Sequence, residues 1–266
     1  MTKKTILAIA VATFAFGQLA KAQTNLQVFY DFGKDRHHVT TTLEGFYNDN
    51  WGNTFFFVDH DFNNKLDGKI ISPNGTYLEV ARCLNFWHSV PVLNGFSVQV
   101  EYNGGVYNSY SINNAFLAGL DYFIHSKDYK NTLNLKVLYK WIDYRGVAAS
   151  APTEALRKYN YRSLVPMQFT VVWGMQDLFG LKGLRFSGFA DFWWQDHILY
   201  TDAKGDLSEF PVSHVVFLSE PQLWYNVGQH FGVNNLNIGG EVELSFDFGS
   251  SLGFWARPCA GIKWVF

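Results

Sequence analysis

Apolar and polar residues alternate with a two-residue period along most of this chain. In residues 234–248, NNLNIGGEVELSFDF, every second position from Leu236 onward is apolar or glycine, and the positions between are polar except for Gly239. The segment NTLNLKVLYKW, which ends at Trp141, shows the same alternation. Successive side chains of a β-strand point to opposite faces of the sheet. The pattern therefore predicts amphipathic strands.

Segments of this kind recur along the chain, and turn residues separate them. They cover residues 27–32, 38–48, 51–62, 76–85, 95–103, 113–124, 131–141, 164–175, 184–195, 213–227, 234–248 and 253–266. An even number of strands, about ten residues each and mostly joined by short loops, is typical of bacterial outer-membrane barrels. We therefore predict an all-β fold: a closed antiparallel transmembrane β-barrel of about 12 strands in an up-and-down meander.

The composition favours a membrane-facing surface for this barrel. Aromatic residues make up 18% of the chain and charged residues 17%, against about 25% charged residues in soluble domains. The last segment, CAGIKWVF, places Ile262, Trp264 and Phe266 on one face, and water covers such a face poorly. Hydrocarbon leaves backbone groups no partner, so a membrane sheet must close on itself. Tryptophans near strand ends are expected to form aromatic girdles: Trp51, Trp141, Trp173, Trp194, Trp224 and Trp264.

A secreted soluble barrel or sandwich with one buried face is the main alternative. Its strands would show the same alternation, with the apolar series facing inward. The aromatic content, the strand lengths and the bare C-terminal Phe266 favour the membrane barrel. We also expect Phe266 to be the address that the barrel-assembly machinery reads, and outer-membrane lipid to surround the monomeric barrel.

The N-terminal residues have the three parts of a secretory signal peptide. Lys3 and Lys4 lie close to the start of the chain, the apolar run ILAIAVATFAF follows, and Ala20-Lys21-Ala22 ends the segment. The apolar run is shorter than the about 20 residues that span a bilayer. The sequence thus predicts a signal peptide at 1–22, a single barrel domain at 23–266, and the outer membrane of a Gram-negative bacterium as the location.

Charge and chemistry-bearing residues exclude several functions. The formal charge is −2, so no basic signature for nucleic acid is present. Cys83 and Cys259 are too few for a disulfide scaffold, and free thiols or one bridge both remain open. The eight histidines are scattered without a G-x-S-x-G or H-E-x-x-H motif. We therefore expect no catalytic residue, metal site or cofactor.

If the apolar series faces lipid, the polar series lines a lumen. Charged residues in that series include Arg185, Asp191, Glu241, Glu243 and Arg257. They either form ion pairs that support the wall or offer hydrogen bonds to a polar solute. Polar loops at residues 145–161 and 201–210 could constrict a pore or bind a partner.

Aromatic residues share the polar phase at two places. Glu44 and Phe46 lie two residues apart, and Phe189 and Trp193 flank Asp191. A ring beside a carboxylate suits a nucleoside, because stacking on a base contributes about 1 to 3 kcal/mol and the carboxylate accepts hydrogen bonds. Alternatively, the rings fill the interior of a narrow barrel.

Several segments are similar in order and spacing to one known family. They are YDFG, TTLEGFYNDNWGNTFFFVD, AFLAGLDYFI, LNLKVLYKWIDYRG and LRFSGFADFWWQD. In these the sequence resembles the nucleoside-specific channel-forming outer-membrane proteins, the Tsx-like porins. The resemblance implies a twelve-stranded barrel that passes nucleosides. By position it implies that Phe32 lines the nucleoside path, that Glu44 and Phe46 form the family's Glu-x-Phe, and that Asp59 closes the next strand.

The sequence thus predicts a passive, selective channel for small polar solutes, with nucleosides as the best candidate. The resemblance is incomplete, since the loop at residues 36–38 is about one residue shorter than the family's and the tract after Asp59 differs. Two other classes remain as alternatives. One is an outer-membrane phospholipase-like enzyme, and the other is an adhesin or structural barrel without a transport role.

Overall fold

The computed structural model describes residues 22–34, 36–66, 69–108, 111–151, 153–196, 213–249 and 251–266. The predicted signal peptide, apart from its last residue, and the loop at 201–210 lie outside these residues. Within them, no helix has the length and apolar character needed to cross a bilayer.

A closed ring of 12 antiparallel strand paths forms the wall of the molecule. The strands are β1 (Ala22–Asp31), β2 (Val39–Asp49), β3 (Gly52–Phe62), β4 (Asn64–Leu66), β5 (Lys69–Ser72), β6 (Gly75–Leu84), β7 (Phe96–Tyr107), β8 (Ser111–His125), β9 (Asn131–Ile142), β10 (Met167–Gln176), β11 (Leu184–Asp196), β12 (Ser213–Ser219), β13 (Gln222–Tyr225), β14 (Leu236–Phe248) and β15 (Ser251–Val265). The hairpin of β4 and β5 is a separate two-stranded sheet outside the ring. The predicted all-β barrel is confirmed.

The first and last strands close the ring. β1 pairs antiparallel with β15, from Asn25 opposite Val265 to Asp31 opposite Cys259. The other wall strands follow in a meander, with β10 paired to both β9 and β11. Closure pairs the backbone groups that an open edge strand would leave free, which a hydrocarbon environment requires.

One strand path of the ring is interrupted in its middle. β12 and β13 both pair with β11 in the same register, so they continue one another across Glu220 and Pro221. Pro221 has no backbone N–H to donate to the ladder, although its carbonyl accepts from the N–H of Val242. The predicted strand at 213–227 is therefore a single wall strand with a proline break.

The wall is apolar outside and polar inside. On β9 the outward side chains of Leu135, Val137 and Tyr139 are exposed, whereas the inward Lys140 is buried. Glutamine, aspartate and arginine side chains are buried on the inner face of other strands. This distribution of apolar and polar side chains is the reverse of that in a soluble protein. Hydrocarbon is the environment that covers such an apolar outer face. The chain is an outer-membrane β-barrel.

The two ends of the barrel differ in their connections. β1 begins and β15 ends at the same end, where a short turn joins β2 to β3. The opposite end carries a long connection after β9 with two short helices, α1 (Arg145–Ser150) and α2 (Glu154–Lys158). Thr153 Oγ1 caps α2 by accepting from the N–H of Leu156 at 3.2 Å, and Leu156 is buried. Described residues of the 145–161 loop do not line the lumen.

An ion pair joins two neighbouring turns at the end where the termini lie. Lys130 Nζ is 2.7 Å from Asp177 Oδ2, and the N–H of Gly183 donates to Asp177 at 2.8 Å. The hydrogen bond from Lys130, with further help from Gly183, lowers the pKa of Asp177 to about 2. Asp177 thus stays ionised and the link between the turns persists at neutral pH.

Candidate functional site

The barrel encloses a cavity of about 2640 Å³. Its lining includes Gln23 and Phe266 at the end where the termini lie, and Asp61 and Gly249 at the opposite end. The cavity therefore extends along the length of the barrel. Most of its polar lining comes from the inward series of the strands, because that series alternates with the lipid-facing one.

Most of the predicted site residues line this cavity. They are Glu44, Phe46, Asp59, Arg185, Asp191, Glu241, Glu243 and Arg257. Phe189 and Trp193 also face the lumen beside Asp191. The strand phase read from the sequence is therefore the phase of the folded wall at these positions.

Phe32 is different, because its ring lies on the outer face. The alternation of β1 continues past Asp31, so Phe29 and Asp31 point inward while Tyr30 and Phe32 point outward. The Phe32 side chain is 53% exposed and packs edge-on against Tyr30, with the ring centroids 4.9 Å apart. The role that the family resemblance implied for Phe32 does not fit its position.

Aromatic rings and carboxylates alternate on the inner face of β2, β3 and β6. Three rows cross these strands in register: Thr42, Asp59 and Tyr77; Glu44, Phe57 and Glu79; Phe46, Phe55 and Ala81. The aromatic and acidic members of these rows form one surface, here called the ring-and-carboxylate panel: Glu44, Phe46, Phe55, Phe57, Asp59, Tyr77 and Glu79.

The rings of the panel are continuous. The centroids of Phe55 and Phe57 are 6.0 Å apart, and those of Phe57 and Tyr77 are 5.8 Å apart. Aromatic pairs at this separation attract one another. Phe46 is 37% exposed and lies beside Phe55 across the β2–β3 ladder. The panel therefore offers aromatic surface to the lumen.

Hydrogen bonds from neighbouring side chains orient the carboxylates of the panel. Asn25 Nδ2 donates to Glu44 at 2.8 Å, and Tyr77 Oη donates to Glu79 at 2.6 Å. The Thr42 hydroxyl donates to Asp59. Each carboxylate has two oxygens and about four acceptor positions, so acceptor capacity remains for a solute.

Four of the seven panel residues were not predicted from the sequence. In TFFFVD both phases of the strand are aromatic, so alternation does not tell Phe55 and Phe57, which face inward, from Phe56. Tyr77 and Glu79 share the inward phase of TYLEVARC. Tyr77 and Glu79 alternate with the apolar Leu78 and Val80. This alternation is the signal that could have placed Tyr77 and Glu79 in the lumen.

Two lysines that line other parts of the lumen rest on tryptophan rings. Lys140 Nζ lies 4.0 Å from the centroid of Trp193, and Lys263 Nζ lies 4.3 Å from that of Trp224. Trp224 is buried and donates its indole N–H to Gln222 at 2.9 Å. The predicted position of Trp224 in an aromatic girdle is wrong, because it shares the inward phase of Gln222.

A buried ion network lies at the end opposite the termini. Glu243 accepts from Arg257 through one carboxylate oxygen and from Arg36 through the other. Arg36 also pairs with Asp31 at 3.1 Å. Glu243 is 5% exposed and Arg257 3%. The loop between β1 and β2 is thereby held at the mouth of the barrel. Glu243 and Arg257, two of the predicted site residues, form an ion pair with each other in the barrel wall.

The two cysteines are free thiols. Cys83 is on β6 and Cys259 is on β15. The Cys83 thiol lies 3.3 Å from Gln99 Oε1. Of the two states that the sequence left open, the structure shows the unbridged one.

A closed barrel with an apolar outer face and a polar lumen defines the class, an outer-membrane β-barrel. The chain belongs to the family described as Domain of unknown function (DUF5020), whose model matches residues 22–266. The comparison with curated proteins found no match.

Solved structures to which the chain is similar include other outer-membrane proteins. The NanC porin shares 10% identity at a TM-score of 0.49, over 91% of this chain and 98% of that chain. The Salmonella typhi outer membrane phospholipase (OMPLA) dimer with bound calcium shares 11% identity at a TM-score of 0.49, over 99% of this chain and 98% of that chain. The outer membrane protein OpdK from Pseudomonas aeruginosa shares 11% identity at a TM-score of 0.38, over 94% of this chain and 100% of that chain. These likenesses concern the fold alone.

Proposed function

We propose that this protein is a passive outer-membrane channel for small polar solutes, and that nucleosides are its preferred class. The observation that carries the proposal is the ring-and-carboxylate panel on the wall of a cavity that extends along the barrel. A wall of this composition offers two kinds of contact at once. A flat heterocycle covers ring surface that water would otherwise wet, while its N–H groups or sugar hydroxyls donate to Glu44, Asp59 or Glu79.

A sugar of equal size is the informative competitor. It donates hydrogen bonds to the carboxylates as a nucleoside does, but it has no aromatic face to stack on Phe46, Phe55 or Phe57. Stacking of a base on an aromatic side chain contributes about 1 to 3 kcal/mol. Selectivity for the nucleoside should therefore come from the rings and not from the hydrogen bonds.

Swelling of proteoliposomes tests this proposal. We expect the purified protein to admit a nucleoside such as uridine faster than a sugar of equal size, with empty liposomes as the control. Equal entry rates for the two solutes would remove the nucleoside preference and leave an unselective channel. No entry of either solute would remove the channel itself.

Replacing one ring of the panel tests the stacking mechanism. We expect Phe57→Ala to reduce the preference for uridine over the sugar by about tenfold, since one stacking contact of about 1 to 3 kcal/mol is lost. Phe56→Ala is the matched control, because Phe56 lies on the outer face of the same strand and stacks on Tyr47. A preference that is unchanged in Phe57→Ala, or equally reduced in Phe56→Ala, would contradict stacking in the lumen.

An enzymatic alternative has one observation in its favour. On the outer wall, Thr76 Oγ1 lies 2.8 Å from His60 Nδ1, the distance expected between a nucleophile and its base. The substrate for such a pair facing lipid would be a phospholipid ester. Release of fatty acid from phospholipid vesicles by the wild-type protein, and its loss in His60→Ala, would favour the enzyme. Solute entry that His60→Ala leaves unchanged would favour the channel.

A further inference from the structure

Carboxylates from separate strand paths converge on the lumen. They are Asp59 on β3, Glu79 on β6, Glu101 on β7, Asp191 on β11, Glu220 at the proline break between β12 and β13, and Glu241 on β14. This set is called the carboxylate belt below. Two of its members, Asp59 and Glu79, also belong to the ring-and-carboxylate panel.

Members of the belt face each other across the lumen. Glu79 interacts electrostatically with Asp191, although four strands separate β6 from β11 in the ring. Glu220 interacts with Glu79 and with Asp59, which lie on the far side of the barrel from it. These interactions act across the lumen, between strands that are not neighbours in the ring. The belt therefore places acidic side chains on facing sides of the lumen.

Two lysines of the lumen near the belt have partners outside it, although Lys140 also interacts electrostatically with Glu79, Glu101 and Asp191. Lys136 and Arg185 line the lumen as well. Lys140 donates to Gln168 Oε1 at 2.6 Å and rests on Trp193. Lys263 rests on Trp224, with Gln222 Oε1 3.4 Å from its Nζ. These contacts hold both ammonium groups against tryptophan rings at the wall.

The two arginines at the barrel mouth are likewise engaged. Arg36 and Arg257 share the carboxylate of Glu243, and Arg36 also pairs with Asp31. Neither Glu243 nor Asp31 is a member of the belt. The belt's negative charge is therefore not matched by direct ion pairs with these arginines.

A buried amide supplies a further acceptor beside the belt. Asn103 lines the cavity, is 6% exposed and lies directly opposite Glu79 in the β6–β7 ladder. Its Oδ1 has no hydrogen-bond partner among the residues that the structure describes. An unsatisfied buried acceptor has a free-energy cost, and a bound donor or cation relieves that cost. This oxygen and the Glu79 carboxylate are placed to act together.

We propose that the carboxylate belt, with Asn103 Oδ1, attracts small monovalent cations into the lumen and makes the pore selective for cations over anions. The proposal rests on the proposed channel, but it does not rest on the nucleoside as its solute. Rings of Asp and Glu side chains select cations in other channels. Within a narrow lumen with low-dielectric walls, several like charges raise the local concentration of counter-ions.

Reversal potentials in planar bilayers test this directly, with potassium chloride as the probe. Under a KCl gradient across the purified wild-type channel, we expect a permeability ratio of K⁺ to Cl⁻ of about five or more. A ratio of one or below in the wild-type protein would overturn the proposal without any variant. The result does not depend on nucleoside flux, so failure of the nucleoside preference and failure of the cation selectivity are distinguishable.

Near-isosteric variants locate the selectivity. We expect Glu79→Gln with Asp191→Asn to lower the K⁺/Cl⁻ ratio by about threefold or more. Glu154→Gln, which removes one exposed carboxylate on α2 outside the cavity, is the matched control and should leave the ratio unchanged. Equal K⁺/Cl⁻ ratios in the wild-type and doubly substituted channels would contradict the proposal that the carboxylate belt produces the selectivity.

Variants of Asn103 test whether its side-chain oxygen contributes to cation selectivity in addition to the charges of the belt. Asn103→Leu keeps every charge and removes the orphan acceptor, so we expect it to lower the K⁺/Cl⁻ ratio by about twofold. Asn103→Asp should raise the ratio instead, because it adds a carboxylate at the same place. Both proteins must migrate as folded barrels in unheated electrophoresis. No change in either folded variant would contradict the part assigned to Asn103.

Discussion

Glu243→Gln should lower the free energy of unfolding by about 3 kcal/mol, the low end of the cost of breaking a buried ion pair. The substitution keeps the size of the side chain but removes the carboxylate that Arg36 and Arg257 share. Asp31 still pairs with Arg36, which places the expected loss at the low end. The lost interaction is one of opposite charges in a site where Glu243 and Arg257 are almost fully buried.

Glu241→Gln is the matched control for this prediction. Glu241 lies two residues away on the same face of β14 and also lines the lumen. Its electrostatic neighbours include the carboxylates of Asp59 and Glu243 and the ammonium group of Lys263, so removing its charge loses one attraction and two repulsions and should cost far less stability than Glu243→Gln. Urea unfolding in lipid vesicles, followed by tryptophan fluorescence, measures both variants. Equal stability of Glu243→Gln and wild type would show that the network does not hold the barrel mouth.

The strand paths of the wall were predictable because their signal is local. A side chain's face depends only on its position in the two-residue period, so the alternation in residues 234–248 placed Glu241 and Glu243 in the lumen correctly. Pro221 does not hide its strand, since the same period continues on both sides of it. The hairpin of β4 and β5 was not predicted, because its strands are short and lie outside the ring.

The site was less predictable wherever the local signal is ambiguous. Phe55, Phe56 and Phe57 are chemically alike, so the pattern gives no phase there. Phe32 was assigned by its resemblance to a family position, whereas the period of β1 places it outside with Tyr30. Trp224 was assigned by residue type, although its phase matches that of Gln222. For Phe32 and Trp224, the position in the two-residue period predicts the correct face, whereas the family resemblance and the residue type do not.

Contacts across the lumen could not be read from the sequence. The pattern shows that Glu79 and Asp191 both face inward, but their meeting depends on the number of strands and on the stagger between them, which together set the barrel's width and tilt. Those quantities come from the pairing of the whole ring, including the closure of β1 on β15. The carboxylate belt is thus a property of the closed barrel.

An arginine on the outer face in the middle of a strand should be strongly destabilising. We expect Val137→Arg to lower the free energy of unfolding by about 2 to 4 kcal/mol, the cost of a charge facing lipid near the bilayer midplane. Val137 lies at the centre of β9 and its side chain is exposed on the outer wall. Unheated electrophoresis should show a smaller folded fraction, and urea unfolding in vesicles gives the free energy.

Asn134→Arg, on the same strand, separates the effect of orientation from that of charge. Asn134 lines the lumen and donates to Asp121 at 2.9 Å, so an arginine there meets water and a carboxylate. Its cost should be well under that of Val137→Arg, because lumen-facing charges are solvated. The difference between the two variants measures which face meets hydrocarbon. Equal losses, or a larger loss for Asn134→Arg, would mean that the apolar face of β9 does not meet lipid, and the interior would then lose its interpretation as an aqueous passage.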